Sequence, residues 1–173
     1  MNANNVKVRR ATLSDVAQIL EMIQELADFE NMSDGPKLKA ADLIRDGNLD
    51  GSSNNQLFYS FVAEYNDNEN QLKLVGYSIS YFSYSTWQGK SYFLEDIYVK
   101  PDYRKLGVGK KLFTTNVKFA LDEHCSRFDF HVLSWNPAKT FYESLGATNL
   151  TALEGWEFFR LPQTKMEQLV ANM

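Results

Sequence analysis

The chain has 173 residues, of which 44% are hydrophobic and 14% aromatic. This length and composition predict a single domain over residues 1–173 with its own hydrophobic core. Eighteen basic and 22 acidic residues leave a net charge of −4, which argues against nucleic acid as a main partner. The one cysteine, Cys125, excludes an intramolecular disulfide and a cysteine-based metal centre. Since no apolar stretch is long enough to span a membrane, we expect a cytoplasmic protein with no membrane partner and no metal.

The first predicted elements are a strand at Val6–Arg10 and a helix that follows it. Thr12 stands at the N-cap position, and Asp15 three residues later completes a capping box. Apolar side chains at helical spacing then predict a helix with one buried face up to about Phe29. A second, irregular helix is expected within residues 31–53, around LKAADLIRD, because turn signals flank that segment.

The middle of the chain is rich in strand patterns. Strands are predicted at residues 57–65, 72–84 and 90–100, with NDNEN at residues 66–70 as the turn between the first two. A helix then follows Arg104, with a predicted buried face made of Phe113, Val117, Ala120 and Leu121. The remaining predicted elements are a strand at 128–133, a helix at 137–145, a strand at 156–161 and a short helix from Pro162. This order predicts an α+β fold with helices covering a central sheet.

The most informative stretch is YFLEDIYVKPDYRKLGVGKKLF, a strand and a turn that lead through an R-x-x-G-x-G loop into a helix. Gly107 and Gly109 would let backbone amides approach a pyrophosphate, and the helix start adds partial positive charge. Arg104, Lys105 and Lys110 can add cationic contacts. Taken alone, the loop is weak evidence for an anion site, because glycines at a strand-to-helix turn are often only punctuation.

Strand, loop and helix together resemble motif A of the GNAT superfamily, whose loop holds the pyrophosphate of acetyl-CoA. SWNPAKTFYESLGA resembles the later motif of that family, in which an Asn precedes a helix that bears Ala and Tyr. Four further segments, ELADFE, YSTWQGK, LEDIYV and EGWEFFRL, resemble the diamine and thialysine acetyltransferase subfamily, which includes spermidine/spermine acetyltransferases. Ser85 resembles the thialysine branch more closely, since the spermidine/spermine branch typically carries an acidic residue there.

The resemblance implies a GNAT-type acyl-CoA N-acyltransferase fold, with a mixed, mostly antiparallel sheet flanked by helices, and a homodimer. It implies acetyl transfer from acetyl-CoA to the primary amine of a small cationic molecule by direct attack in a ternary complex. The residues implied to contact acetyl-CoA are Ile97, Tyr98, Val99, Arg104, Lys105, Leu106, Gly107, Val108, Gly109, Lys110, Asn136, Ala138 and Tyr142. The sequence departs from the family in one place, because the segment from Asn136 to Ala138 is one residue shorter than usual.

A base is required, because an alkyl ammonium has a pKa of about 10.4 and is almost fully protonated at pH 7. We expect Glu95 to take this role through a water. Strand alternation would place it on one face with Phe93, Ile97 and Val99, and a carboxylate among apolar neighbours is a better base near neutral pH. Asp96 is expected on the opposite face in a structural role. The alternative for Glu95 is a surface or structurally paired carboxylate.

The resemblance assigns Tyr142 as the proton donor to the sulfur that leaves. Reference pKa values of about 10 for Tyr and about 8.5 for a Cys-like thiol make this transfer uphill by about 2 kcal/mol, which favours a partial role as hydrogen-bond donor. The residues implied near the amine are Phe29, Glu30, Trp87, Glu95, Glu154 and Trp156. Carboxylates attract ammonium groups and aromatic faces hold cations, although ordinary core packing explains each aromatic equally well.

Two other functions are compatible with these motifs. One is an acyl-CoA-binding regulatory module without turnover, which the shortened segment at Asn136 suggests. The other keeps the chemistry and transfers acetyl groups to protein lysines or N-termini. Among small amines, Ser85 alone does not choose between thialysine, other lysine-like amines, diamines and polyamines.

Overall fold

The computed structural model describes residues 5–66, 72–171 and 173. These residues form two compact units, the first ending at His131 and the second beginning at Val132, and each is described by itself. Except for Asn66, the predicted NDNEN turn lies outside the described residues.

The first unit is built on one five-stranded sheet whose strand order follows the chain. The strands are β1 (Val6–Arg10), β2 (Tyr59–Asn66), β3 (Leu72–Ser85), β4 (Gly89–Val99) and β5 (Phe128–Phe130). The first four pair antiparallel, and β5 alone runs parallel to its neighbour β4. The predicted mixed, mostly antiparallel sheet is confirmed.

Three helices accompany this sheet, namely α1 (Val16–Phe29), α2 (Ala40–Gly47) and α3 (Val108–Asp122). A short 3-10 turn precedes α1, and there the Asp15 carboxylate accepts the backbone N–H of Thr12 at 2.7 Å. This is the predicted capping box. Helix α3 begins after Gly107, whose φ of +80° is a conformation that glycine adopts without strain.

The helices bury opposite faces of the sheet. Side chains of α1 and α2, including Ile19, Met22 and Leu43, form one core cluster with Val62 and Tyr77. A second cluster joins Val108 and Leu112 of α3 to neighbouring strand residues such as Phe61 and Val75. Alternation within β2 therefore sends Phe61 and Val62 to different layers, as expected for a sheet covered on both sides.

The buried face of α3 differs in part from the prediction. Phe113 and Ala120 are buried as expected, but Leu121 is 65% exposed. Its place in the helix's inner stripe is taken by Asn116, which is fully buried. Periodicity identified the helix but not the polar residue on its buried side, because apolar patterns count Asn as a surface residue.

The second unit contains α4 (Ala138–Ser144), α5 (Leu150–Glu154) and α6 (Gln163–Ala171). The predicted strand at residues 156–161 is wrong, since this segment has no regular structure. A strand needs a hydrogen-bonded partner, and none of the described strands pairs with it. The strand predicted at residues 128–133 stops at Phe130, where its pairing with Leu94 of β4 ends.

Candidate active site

Strand β4 carries a β-bulge at Glu95. In the ladder with β3, Ile79 pairs with Asp96, whereas the next β3 residue, Ser80, pairs with Leu94. Glu95 is therefore an extra residue, and such an insertion bends a strand and redirects its side chains. The predicted base thus lies at an irregularity of a kind that is over-represented next to active sites.

The bulge changes the face that each β4 side chain occupies. Before it, Phe93 stacks on Tyr81, on the α1 side of the sheet, with ring centroids 5.3 Å apart. After it, Ile97 and Val99 pack into the cluster on the α3 side. The prediction that Glu95 shares one face with Phe93, Ile97 and Val99 is therefore wrong, because alternation does not continue through an inserted residue.

The charge of Glu95 affects the ionisation of both Tyr81 and Asp96. Burial and the Glu95 carboxylate, which interacts with the hydroxyl, raise the pKa of Tyr81. Burial, supported by the charges of Glu95 and Glu30, raises the pKa of Asp96 to about 6, although a hydrogen bond from Tyr77 opposes the rise. Asp96 therefore does not stand apart from Glu95 on an opposite face, as the sequence had led us to expect.

Tyr77 supports Asp96 from the core. Its hydroxyl donates to Asp96 Oδ2 at 3.0 Å, and its ring is fully buried. Burial, followed by the charge of Asp96, holds the pKa of Tyr77 well above its usual range, so the hydroxyl remains a donor. Sequence reasoning missed this pair, and the only available signal was the position of Asp96 directly after Glu95.

Glu30 completes a group of carboxylates that we call the acidic cluster, made of Glu30, Glu95 and Asp96. Glu30 is the C-cap of α1, and burial raises its pKa. Its charge contributes to the raised pKa values of both Asp96 and Tyr77. Among the described residues, no member of the cluster forms an ion pair with Lys or Arg. Negative charge therefore gathers at the bulge, where the charges of Glu95 and Glu30 raise the pKa of Asp96.

The edge of β4 beyond the bulge is not paired by β5. Their parallel ladder joins residues 92–94 to 128–130 and ends there, so from Glu95 to Val99 the described part of the sheet offers no strand on that side of β4. Tyr98 turns into the α1-side core, while Ile97 and Val99 face α3. Backbone groups along this edge can therefore serve a ligand.

The loop after β4 is tied to the end of that strand by Arg104. Its Nε donates to the carbonyl oxygen of Val99 at 2.9 Å, and its guanidinium lies 5.2 Å from the ring centre of Phe29 and 5.5 Å from that of Tyr98. Both contacts lie within the range of cation–π attraction. Arg104 thus connects the loop to the last residue of α1.

The backbone of the loop has the features of an anion site. Lys105 has a φ of +62° and Gly107 a φ of +80°, while Leu106 and Val108 pack inward on the α3-side cluster. Lys110 stays exposed at the start of α3. The first N–H groups of a helix have no partner within it and carry partial positive charge.

Gly109 is the glycine that the chain itself does not require. Its φ is not positive, and a Cβ added there would meet only Val99 Cγ2, at an ordinary contact distance of 3.8 Å. Its bare backbone therefore leaves room beside Val99 at the first turn of α3, which fits a phosphate group brought close to the helix start.

Trp87 lies away from the acidic cluster along its own hairpin. It is 81% exposed, and its backbone N–H, like that of Gln88, donates to Ser85 Oγ at 3.2 Å. From Gly89 to Glu95 the strand extends about 20 Å at about 3.3 Å per residue. Within one chain, the structure does not bring Trp87 together with Glu95, and Ser85 stabilises the turn.

The second unit carries Tyr142 in α4. Its side chain is buried, its ring centre lies 5.3 Å from that of Phe141, and burial raises the pKa of Tyr142 to about 12. Just before α4, the Asn136 side-chain oxygen accepts the backbone N–H of Ala138 at 2.9 Å. The shortened segment therefore forms a compact Asx turn that leads into α4, whose N-cap is Pro137.

Glu154 and Trp156 form a local pair at the end of α5. Trp156 Nε1 donates to Glu154 Oε2 at 2.6 Å, and both residues are exposed. The tryptophan thus orients the carboxylate, and the two side chains can act as one unit toward a ligand.

Two further features concern the described residues as a whole. Among them, no group of His, Cys, Asp or Glu has the arrangement of a metal site. Within the same ranges, no helix combines the length and apolar character needed to cross a bilayer.

Comparisons with known proteins agree with the motifs and the sheet. The profile of the Acetyltransferase (GNAT) family matches residues 20–147. A thialysine N-epsilon-acetyltransferase from Sus scrofa is 41% identical over 172 residues, covering 97% of this chain and 99% of that protein. A spermidine/spermine N(1)-acetyltransferase-like protein 1 from Homo sapiens is 40% identical over 163 residues, covering 92% of this chain and 23% of that protein.

A solved structure extends the agreement to the fold. An aminoglycoside acetyltransferase from an uncultured soil metagenomic sample, in complex with trehalose, has a TM-score of 0.69 and 22% identity, covering 92% of this chain and 98% of its own. The predicted resemblance, including its thialysine branch, is confirmed. The chain therefore belongs to the GNAT acetyltransferase family and is an acetyl-CoA-dependent N-acetyltransferase.

Proposed function

We propose that this enzyme acetylates the primary amine of a small cationic molecule, namely thialysine or another lysine-like amine, a diamine or a polyamine. The observation that carries this proposal is the acidic cluster of Glu30, Glu95 and Asp96 at the β4 bulge, where the charges of Glu30 and Glu95 raise the pKa of Asp96. The thialysine N-epsilon-acetyltransferases among the relatives support the same substrate class.

For acetyl-CoA, we infer contacts with the free edge of β4 at Ile97, Tyr98 and Val99 and with the loop from Arg104 to Lys110. The loop offers basic side chains and the helix start offers N–H groups, which together suit a pyrophosphate. Gly109, whose backbone is bare without any need in the fold, supports this fit. The co-substrate supplies an acetyl group activated as a thioester.

The second unit is assigned to the same reaction. The family match runs from residue 20 to residue 147 and so includes parts of both units, which supports one N-acetyltransferase domain. Asn136, Ala138 and Tyr142 are inferred to contact the co-substrate, and Glu154 and Trp156 the amine. Phe29, beside Glu30, would contact the alkyl part of the amine. A homodimer in the cytoplasm remains an inference from the resemblance, and sedimentation equilibrium would test the dimer.

The acidic cluster performs two tasks in this proposal. Its charge attracts the ammonium group, and a carboxylate then removes a proton so that the nitrogen can attack. Glu95, the exposed member, receives the proton through a water. Asp96, with a pKa of about 6, lies nearer to the value at which a base works best at neutral pH. We therefore assign proton removal to the Glu95–Asp96 pair rather than to Glu95 acting alone.

Tyr142 is the inferred partner of the sulfur that leaves. Its pKa of about 12 exceeds the value of about 8.5 for a Cys-like thiol by enough to make full proton transfer uphill by about 5 kcal/mol. The buried hydroxyl is therefore better suited to donate a hydrogen bond to developing negative charge than to give up its proton.

The test is an amine panel with the purified protein. Thiol release from acetyl-CoA is measured with thialysine, lysine, short diamines and polyamines, and with monoamines of equal length, which carry no second ammonium group, as controls. Release only with the amines that carry a second ammonium group is the expected result. No release with any of them, while CoA binding is detected by calorimetry, would overturn the proposal and favour a binding module without turnover.

A further inference from the structure

A fully buried polar group joins α3 to β3. Asn116 Nδ2 donates to Ser78 Oγ at 2.8 Å, and Ser80 Oγ donates to Asn116 Oδ1 at 2.9 Å. All three side chains have a relative exposure of 0%. We call this group, made of Asn116, Ser78 and Ser80, the Asn116 clamp.

The strand end of the clamp lies opposite the β4 bulge. Ser78 pairs with Ile97 and Ser80 pairs with Leu94, so the partners of the two serines lie on either side of the Glu95–Asp96 pair. Asn116 bridges them from the α3 side of the sheet, whereas the acidic cluster lies on the α1 side. The clamp therefore fixes the stretch of β3 against which β4 bulges.

The helix end of the clamp leads to the loop inferred to bind acetyl-CoA. Asn116 Nδ2 also donates to the carbonyl oxygen of Leu112 at 2.9 Å, one turn nearer the loop. Leu112 in turn faces Gly76 of β3, where an added Cβ would lie 3.1 Å from Leu112 Cδ1 and 2.6 Å from the Tyr98 carbonyl oxygen. From Asn116, α3 reaches Gly107 about 14 Å away. A rigid helix transmits the position of Asn116 to its first turn.

Stability alone does not explain a polar residue at this place. Asn is a weaker helix former than Leu, and its neighbours on the buried stripe of α3 include Leu112, Phe113 and Ala120. Replacing a satisfied buried polar group by apolar residues of similar volume is often neutral or stabilising. Directed hydrogen bonds fix one position of the helix along the strand. Apolar contacts allow more than one such position.

We propose that Asn116 is a positioning residue that holds the acetyl-CoA loop at the start of α3 in register with the β4 bulge that carries Glu95 and Asp96. This inference rests on the proposed function, in which the loop binds the donor and the bulge binds the amine. Reacting groups must be placed closely for rapid transfer, and a shift of about 1 Å can cost about a hundredfold in rate.

The first variant is Asn116→Leu, which removes the amide and leaves both serine hydroxyls without their partner. Steady-state kinetics with the best amine of the panel should give a KM for acetyl-CoA raised about tenfold and a kcat lowered several-fold. The reason is that the hydrogen bonds that hold the loop in a fixed position relative to the bulge are lost. The KM for the amine should change by less. Thr114→Ala is the matched control, since its hydroxyl bonds only to carbonyls within α3 and its kinetics should stay those of the wild type.

The second variant, Asn116→Leu combined with Ser78→Ala and Ser80→Ala, separates positioning from stability. Because the two serine hydroxyls are removed together with the amide that they bonded, its melting temperature should return to the wild-type value or exceed it, while the raised KM for acetyl-CoA persists. Recovery of both stability and kinetics would overturn the inference and leave the clamp a packing feature. If Asn116→Leu does not fold, the triple variant alone decides.

The two proposals fail in different ways. If the wild-type enzyme acetylates none of the amines, the small-amine proposal is lost, and the clamp is then tested by calorimetric titration of CoA. A dissociation constant for CoA that is unchanged in the triple variant would refute the positioning role. A dissociation constant raised about tenfold would show that Asn116 positions the acetyl-CoA loop, and this result does not require catalytic turnover.

Discussion

Replacing Asp96 by Asn should make the protein more stable and less active at the same time. In the folded chain burial raises the pKa of this carboxyl from 3.8 to about 6, so ionising it at pH 7 is unfavourable relative to the unfolded chain. The shift corresponds to at most about 3 kcal/mol of stability. Asn has nearly the same shape and keeps an oxygen that can accept the Tyr77 hydroxyl.

The sign of the effect follows from the direction of the shift. A raised carboxyl pKa leaves stability unaffected below about pH 3.8, where the group is protonated in both states, and destabilises the folded protein fully above about pH 6. Asp96→Asn should therefore gain up to about 3 kcal/mol in urea unfolding at pH 7.5 and little at pH 4. At pH 7.5 its kcat/KM should fall at least tenfold, because the proton acceptor pair has lost a member.

Asp15→Asn is the contrasting variant for this experiment. Burial acts against ionisation of Asp15 as well, but its bonds to Arg9 and Thr12 outweigh burial and hold its pKa below the ordinary value. Removing that charge should destabilise the protein at pH 7.5, the opposite sign to Asp96→Asn. A loss of stability in Asp96→Asn that is equal at both pH values would refute the reasoning, because it would mean that the carboxylate is not disfavoured by its surroundings.

Four further variants test other parts of the site. Gly109→Ala should keep or raise the melting temperature, because alanine is the better helix former and the added Cβ meets only an ordinary contact, yet it should raise the dissociation constant of CoA in titration calorimetry. Gly107→Ala should instead lose about 1 kcal/mol in urea unfolding as well, since its φ is +80°. Tyr142→Phe should lower kcat at least tenfold with little change in CoA binding; equal losses in both would show that the hydroxyl serves binding. Glu95→Gln should flatten the pH profile of kcat/KM, and a profile identical to that of the wild type would remove Glu95 from proton transfer.

Much of the architecture was available from the sequence because its signals are local. The strands β1 to β4, the helices α1 to α3 and the capping box at Thr12 follow from periodicity and end signals over a few neighbouring residues. The glycine loop and the motifs around it identified the family for the same reason, since a phosphate-binding turn uses consecutive residues. The proposed acetyl-CoA site rests on such local patterns.

The proposed amine site, in contrast, could be recognised only from the tertiary structure. The β4 bulge is a property of the pairing between two strands, and the sequence of β4 alone reads as an uninterrupted alternation that places Glu95 and Asp96 on opposite faces. Only the register, in which Ile79 and Ser80 pair on either side of Glu95, brings the two carboxylates together. The raised pKa of Asp96 follows from that arrangement, because burial and neighbouring charge are set by distant residues.

Residues 156–161 and Asn116 are two further places where the local sequence pattern did not predict the tertiary contacts. Alternating aromatics predicted a strand at residues 156–161, but a strand exists only where a partner supplies hydrogen bonds, and the described sheet supplies none there. Apolar periodicity does not mark Asn116 as a core residue, yet two serines from β3 satisfy it in the core. The sequence by itself determined the family, the loop and most elements; the tertiary structure decided which polar side chains meet, because partners far apart in the chain settle that.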